Sequence, residues 1–307
     1  MSIFKLDPAF KDYIWGGTRL RDEYGKKCDY DKVAESWELS CHKDGPSVVA
    51  DGEYKGLTLN EYIEKAGKGV LGKNCERFEN FPILIKLIDA KDNLSVQVHP
   101  DNDYAMRVEG EYGKTEMWYV VDCDEGATLL YGFKHEITKE EFARRIADNT
   151  LLEVTNAVPV KKGDVFFIKS GTLHAIGKGI LIAEIQQNSN TTYRIYDYGR
   201  VGKDGKPREL HVDKALDVTK LAPAEQYPET PVEKKDGYDI KLLSKCEYFT
   251  TYRVNVETKA ELDADENSFN SILVLEGEPV ISGGETVSAK KGESVFISAG
   301  TGKYTVE

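Results

Sequence analysis

Gln97 and His99 lie in "NLSVQVHPDNDYA", residues 93–105, where they alternate with Val96 and Val98. Side chains point alternately to the two faces of a strand, so the amide and the imidazole share one face and the valines the other. Glu116 opens the next strand-like run, "GKTEMWYVV", and His174 follows in "SGTLHAI". Two residues from one strand and one from each of two others converge if the strands wrap into a barrel, where inward side chains meet. Neutral nitrogen and oxygen donors with one carboxylate suit a divalent ion such as zinc, and a catalytic site leaves one position open. A lone strand histidine is more often a satisfied core residue than a ligand. The set therefore weighs more than any member of it.

Strands must position these groups, and strand-like runs dominate the chain. "FPILIKLIDA", "NLSVQV", "EMWYVVD", "ATLLYG", "DVFFIKSG", "GILIAEIQQ", "YFTTYRVNV", "FNSILVLEG" and "ESVFISAG" are short, rich in Val, Ile, Phe and Tyr, and separated by Gly, Asp, Asn and Lys. This pattern predicts an all-β sandwich or barrel rather than alternating strands and helices. Two helices are expected, at about 58–67 and 138–150, the second with Thr138 and Glu141 at capping-box spacing. Residues 222–237, "APAEQYPETPVEKKDG", hold three prolines and several charges and read as a linker or long connection. "KKGDVFFIKSGTLHAI" from Lys161 and "KKGESVFISAGTGKYTV" from Lys290 align at an offset of 129 with Lys, Lys, Gly, Phe, Ile, Gly and Thr in common. Lys303 stands where the first copy has His174. The repeat predicts a duplicated fold whose second half binds no metal. The expected division is 1–221, 222–237 and 238–307.

Asp and Glu outnumber Lys and Arg 53 to 41 in the 307 residues, which argues against nucleic acid or anionic lipid as partners. No apolar run is long enough to span a membrane, and "MSIFKLDPAF" has no signal-peptide pattern. Cys28, Cys41, Cys75, Cys123 and Cys246 are scattered and never form CxxC, as expected of reduced thiols in a cytoplasm. Oligomeric state is not legible.

"GDVFFIKSGTLH" reads G-x5-K-x-G-x2-H and resembles the second motif of the cupin superfamily, G-x5-P-x-G-x2-H, with Lys169 in the proline's place. A wider match joins "YIWGG", "FPILIKLIDAKDNLSVQVHPDNDYA", "GKTEMWYV" and "SGTLHAIGKGILIAEIQQNSNTTYRIYDYGR". Together these look like a type I mannose-6-phosphate isomerase in its shorter bacterial form, over most of residues 10–215. The resemblance implies two cupin jelly-roll barrels with a few inserted helices, the C-terminal one without metal. It implies one zinc ion per chain on Gln97, His99, Glu116 and His174. It points to Arg194, Lys114 and Glu184 as catalytic groups, and to Lys86, Trp15 and Arg200 around a sugar phosphate. Asn190 stands where many members have an acidic residue, and "YDYGR" replaces their "LTPK", so Arg200 is expected in place of a lysine.

The implied reaction moves a proton between C1 and C2 of an aldose or ketose while charge builds on the adjacent oxygens, as an enediolate. Preorganised positive charge lowers that barrier. One carboxylate and three neutral ligands leave a zinc site near +1 and usefully Lewis-acidic. Arg194 could serve the oxyanion or the phosphate, having a planar fork suited to either. Lys86, inside the apolar "ILIKLI", must reach water or an anionic partner. The base stays open among Glu184, a lysine and a metal-bound water. Trp37 and Trp118 read as core or pocket-wall residues, and His42 as a pocket or an exposed loop histidine. His135 and His211 carry no assigned role. An iron-dependent cupin oxygenase and a non-catalytic sugar-binding cupin are the competing readings.

Overall fold

The computed structural model describes residues 2–202 and 205–307. Its strands pair antiparallel in five sheets, two of which enclose the ligand candidates. The six-stranded sheet runs, neighbour by neighbour, Val165–Ile168, Glu116–Cys123, Ile180–Gln187, Ile83–Ala90, Glu35–Leu39 and Ala9–Lys11. The five-stranded sheet runs Tyr193–Tyr196, Val96–Val98, His174–Ala175, Thr128–Phe133 and Thr155–Pro159. Strand character dominates as expected, but the sheets are open rather than closed barrels among the described residues. Both ends of each order are edges, so no pairing completes a ring.

Ile83–Ala90 and Ile180–Gln187 are buried along their whole length. Covered on both faces, such central strands read as continuous apolar runs, which is why Lys86 and Glu184 stand out in them. Val96 and Val98 are fully buried in a cluster with Phe133, Phe142, Leu173 and Ile195, which leaves Gln97 to the other face. Helix Leu59–Ala66 starts at a complete capping box: Thr58 accepts from Glu61 N, and the Glu61 carboxylate accepts from Thr58 N. Helix Lys139–Ala147 starts at Thr138, whose hydroxyl accepts from Glu141 N at 3.1 Å. Thr58→Ala removes the first cap and is expected to lower stability by about 1 kcal/mol in urea unfolding. An unchanged midpoint and slope would show that the cap contributes nothing.

The 129-residue offset recurs in the backbone. Strand Val165–Ile168 is matched by Ser294–Ile297, and the glycines bracketing each have positive φ: Gly163 (93°) and Gly171 (85°), Gly292 (89°) and Gly300 (78°). Only glycine adopts that region at little strain, so the repeated glycines mark one turn–strand–turn unit used twice. The second unit lies in a four-stranded sheet ordered Asn270–Leu273, Ser294–Ile297, Ile3–Asp7 and Val48–Val49. The strand Ile3–Asp7 thus pairs with residues nearly three hundred positions later. A second four-stranded sheet holds Ala260–Ala264, Gly302–Val306, Val280–Ser282 and Thr286–Ser288. In the proline-bearing stretch 222–237, Val232–Lys235 is itself a strand, the edge of a three-stranded sheet with Tyr238–Lys245 and Thr250–Val256. Its side chains are exposed, so the pairing is made by backbone alone and leaves no apolar alternation to read. Ser294 donates across the halves to the buried Glu38 carboxylate at 2.9 Å, which Lys26 also meets at 2.6 Å. None of the described helices is long and apolar enough to cross a membrane.

Candidate metal centre

Strand register sets two rows of side chains facing each other. On the six-stranded sheet, Trp37, Lys86, Glu184 and Trp118 are direct cross-strand partners in sequence. On the five-stranded sheet the row is Arg194, Gln97, His174 and Tyr131. Direct partners in antiparallel strands put their side chains on the same face. The rows meet where the Trp118 and His174 rings stand edge to face, centroids 5.3 Å apart. Glu116 lies two residues before Trp118, on the same face, and His99 two beyond Gln97.

His99, Glu116 and His174 converge there, at most 1% exposed. The two Nε2 atoms are 3.2 Å apart, and Glu116 carboxylate oxygens lie 3.3 Å from His174 Nε2 and 3.7 Å from His99 Nε2. Metal–ligand bonds of ~2.0–2.1 Å in tetrahedral geometry give ligand–ligand edges of ~3.3–3.4 Å, so the spacing fits one zinc-sized ion. The Gln97 amide is 3.5 Å from His174 Nε2, and turning it end for end presents its oxygen instead. The tautomers are fixed as ligation requires. His99 Nδ1 donates to Thr191 O at 2.9 Å and His174 Nδ1 to Thr172 O at 2.8 Å, leaving both Nε2 lone pairs turned inward. Burial pushes the His174 pKa down to about 4 and that of His99 well below its ordinary value, the latter helped by Lys114, so both rings are neutral.

The charge is unbalanced in the direction a cation corrects. Burial and the nearby Glu184 charge push the Glu116 carboxyl above the usual range, and its Oε1 has no hydrogen bond. Lys114 Nζ lies 2.6 Å from the other Glu116 oxygen and 3.0 Å from His99 Nε2, an ammonium beside the same lone pairs. Those donors fit a divalent ion better than they fit each other.

Buried charges alternate away from this centre. Lys86, 3% exposed, lies 3.3 Å from Glu184 and 3.5 Å from Glu35, and Lys114 is 3.9 Å from Glu184. Trp118 Nε1 donates to Glu184 at 2.9 Å and Trp37 Nε1 to Glu35 at 2.7 Å. Burial alone would raise the Glu184 pKa, but Lys114 and Lys86 win and hold it down to about 2. Lys86 is raised because its two carboxylates outweigh burial. The alternating Glu35–Trp37 pair in "ESWEL" was the one sequence signal for this outer end, and sequence reasoning gave Glu35 no role.

Arg194 shares a face with Gln97; one guanidinium nitrogen donates to Glu209 O at 3.0 Å, while its buried Nε has no partner. Burial and the neighbouring Arg208 and Arg200 lower its pKa. Arg200 and Arg208 both bind the buried Asp197 carboxylate, Arg208 through two hydrogen bonds of 2.7 and 2.6 Å. Trp15 is 4% exposed and packed with Ala34, Ile88 and Ile176. A side chain at Gly16 would run into Ala34 and one at Gly17 into Asp89, which accounts for both glycines of "YIWGG". His42 is buried, with its Nε2 3.6 Å from Glu111. Lys169, in the motif's proline position, pairs with Glu225 at the surface, away from the His174 ligand face.

Two sheets enclosing an imidazole–carboxylate–imidazole cluster of this spacing define a cupin-type metalloprotein. The chain belongs to the type I phosphomannose isomerases, a family of aldose–ketose isomerases. The family model of the type I phosphomannose isomerase catalytic domain matches residues 3–126, and that of the mannose-6-phosphate isomerase cupin domain matches residues 239–307. Mannose-6-phosphate isomerase ManA of Bacillus subtilis is 40% identical over 302 residues, 98% of this chain and 94% of its own. A crystal structure of the Bacillus subtilis mannose 6-phosphate isomerase superposes with a TM-score of 0.90 at 38% identity, over 100% of this chain and 99% of that one. A zinc-bound mannose 6-phosphate isomerase shares the fold, with a TM-score of 0.75 at 17% identity over 100% and 97% of the two chains. Membership sets aside the oxygenase and non-catalytic readings.

Proposed function

We propose that this chain interconverts mannose 6-phosphate and fructose 6-phosphate by moving a proton between C1 and C2, with one zinc ion held by Gln97, His99, Glu116 and His174. The observation that carries the reading is the tetrahedral-edge spacing of two inward imidazole nitrogens and a carboxylate, fully buried among charged residues. A divalent ion there supplies a Lewis acid for the sugar's carbonyl and hydroxyl oxygens. Lys114 adds a second positive charge against the developing enediolate, from 2.6 Å off Glu116. Glu184, its Oε1 ion-paired with Lys86 at 3.3 Å and its pKa held down to about 2, is a weak base as it stands, and a lysine or a metal-bound water shares its place as acceptor for the proton leaving C2. Arg194, with its unpartnered Nε, binds the anionic end of the substrate or its oxyanion. Arg200 extends the positive field of the phosphate end, and Lys86 and Trp15 form the wall beneath the sugar. The facing sheets make two cupin units, 1–221 and 238–307, the second completed by strands Ile3–Asp7 and Val48–Val49 lent by the first. Five free cysteines fit a reducing cytoplasm.

A coupled assay of mannose 6-phosphate turnover tests the reading. Activity is expected to vanish when a chelator strips the metal and to return with about one zinc equivalent per chain. Full turnover by metal-free protein would reject it.

A further inference from the structure

The segment Gly113–Glu116 delivers Lys114 and Glu116, yet only Glu116 belongs to a strand. Side chains do the rest. Gly113 N donates to Asn102 Oδ1 at 2.9 Å, Lys114 N to Pro100 O at 3.0 Å, and Thr115 N to Gln187 Oε1 at 2.8 Å. Gln187 N in turn donates to Thr115 O at 3.1 Å, so this residue, 2% exposed, grips Thr115 from both sides. Gln187 Nε2 donates to Asn102 Oδ1 at 2.8 Å, and Asn102 Nδ2 donates to the Tyr248 hydroxyl at 3.1 Å. Tyr248 lies between strands Tyr238–Lys245 and Thr250–Val256, in the half without the ligands, and with Asn102 it lines a cleft of about 370 Å³.

We propose that Asn102 and Gln187 are positioning residues for Lys114 and Glu116, and that Tyr248 extends this support into the C-terminal half. That half then contributes to metal affinity although Lys303 replaces its counterpart of His174. The polarity of the line is fixed. Thr115 N can only donate, so Gln187 must offer oxygen to it and nitrogen to Asn102, which orients the Asn102 amide toward Tyr248. Losing the strut leaves Gly113 N and Thr115 N, on either side of Lys114, without their side-chain acceptors, and partners behind a ligand commonly govern metal affinity by 10–100-fold.

The inference rests on the metal centre proposed above. Its test is zinc affinity by competition with a chelator, together with kcat and KM at saturating zinc, for wild type, Asn102→Ala, Asn102→Asp and Tyr248→Phe. Asn102→Ala is expected to weaken zinc about 10–100-fold and to lower kcat with KM little changed. Asn102→Asp keeps both acceptor contacts and lets the tyrosine donate, and should stay within about threefold of wild type. Tyr248→Phe removes one hydroxyl and should weaken zinc about threefold or more. Folded Asn102→Ala with wild-type zinc affinity overturns the proposal, as does Asn102→Asp as weak as the alanine. If Asn102→Ala does not fold, Tyr248→Phe decides, and unchanged zinc affinity there refutes the C-terminal link. A wild type that takes up no zinc refutes the metal centre instead.

Discussion

His174→Ala is expected to purify without a full equivalent of metal and to lose about 10³-fold or more in kcat/KM, ~4 kcal/mol of transition-state stabilisation. The size follows from what the imidazole does. It donates one of the inward lone pairs, and its Nδ1 bond to Thr172 O keeps that lone pair aimed. Without it, Glu116 and His99 face a gap that Lys114 alone cannot balance. The residue is fully buried against Trp118, so truncation also leaves a cavity, on the order of 2–4 kcal/mol of stability. Unfolding curves and metal content must therefore be read beside the kinetics. A folded, metal-free His174→Ala with near wild-type turnover would refute the ion's part in the reaction.

Lys86→Met should be the most destabilising single change in the charged row, by about 3–5 kcal/mol at pH 7 in chelator-treated protein. Methionine has nearly the volume of the lysine stem, so packing is kept while Glu35 and Glu184 are left buried with less counter-charge. The pH dependence has a definite sign. In wild type the folded pKa of Glu184 lies below the ordinary carboxylate value, so its contribution is present above that value and lost as pH falls toward about 2. Without Lys86, burial of Glu184 is opposed only by Lys114 and the Trp118 hydrogen bond, and the carboxyl pKa is expected to rise from its wild-type value. The stabilisation lost with Lys86 is then fully felt at neutral pH and fades as acid protonates the carboxyl. The gap between the two proteins should narrow in urea unfolding as pH falls from neutral through the raised carboxyl pKa, and Lys86→Met with Glu184→Gln should recover part of the loss. A pH-independent gap would show that packing, not charge, holds the row.

The ligand cluster was legible because strand alternation is short-range information: Val96 and Val98 buried on one face oblige Gln97 and His99 to share the other. Their meeting with Glu116 and His174 depends on register across strands up to 77 residues apart, and there the family motif supplied what periodicity could not. The repeat was legible for the same local reason, since Gly163 and Gly292 occupy turns that only glycine enters cheaply. Asn102 and Gln187 were not, because an amide whose partners are set by the fold looks in sequence like any polar residue near a turn. Closure into barrels was not legible either, as alternating strands are compatible with open sheets and closed ones. Nor was the strand Val232–Lys235, which buries nothing and so leaves no hydrophobic trace.

Residues 3–7 are made nearly three hundred residues ahead of their partners at 294–297. Until then the early strand is an unpaired edge, and the contact it awaits is among the most distant the chain offers. This sheet is accordingly expected to be completed late in folding. A fragment carrying residues 238–307 alone would lack a strand from the middle of its own sheet, and the exposed edge of 294–297 would invite aggregation.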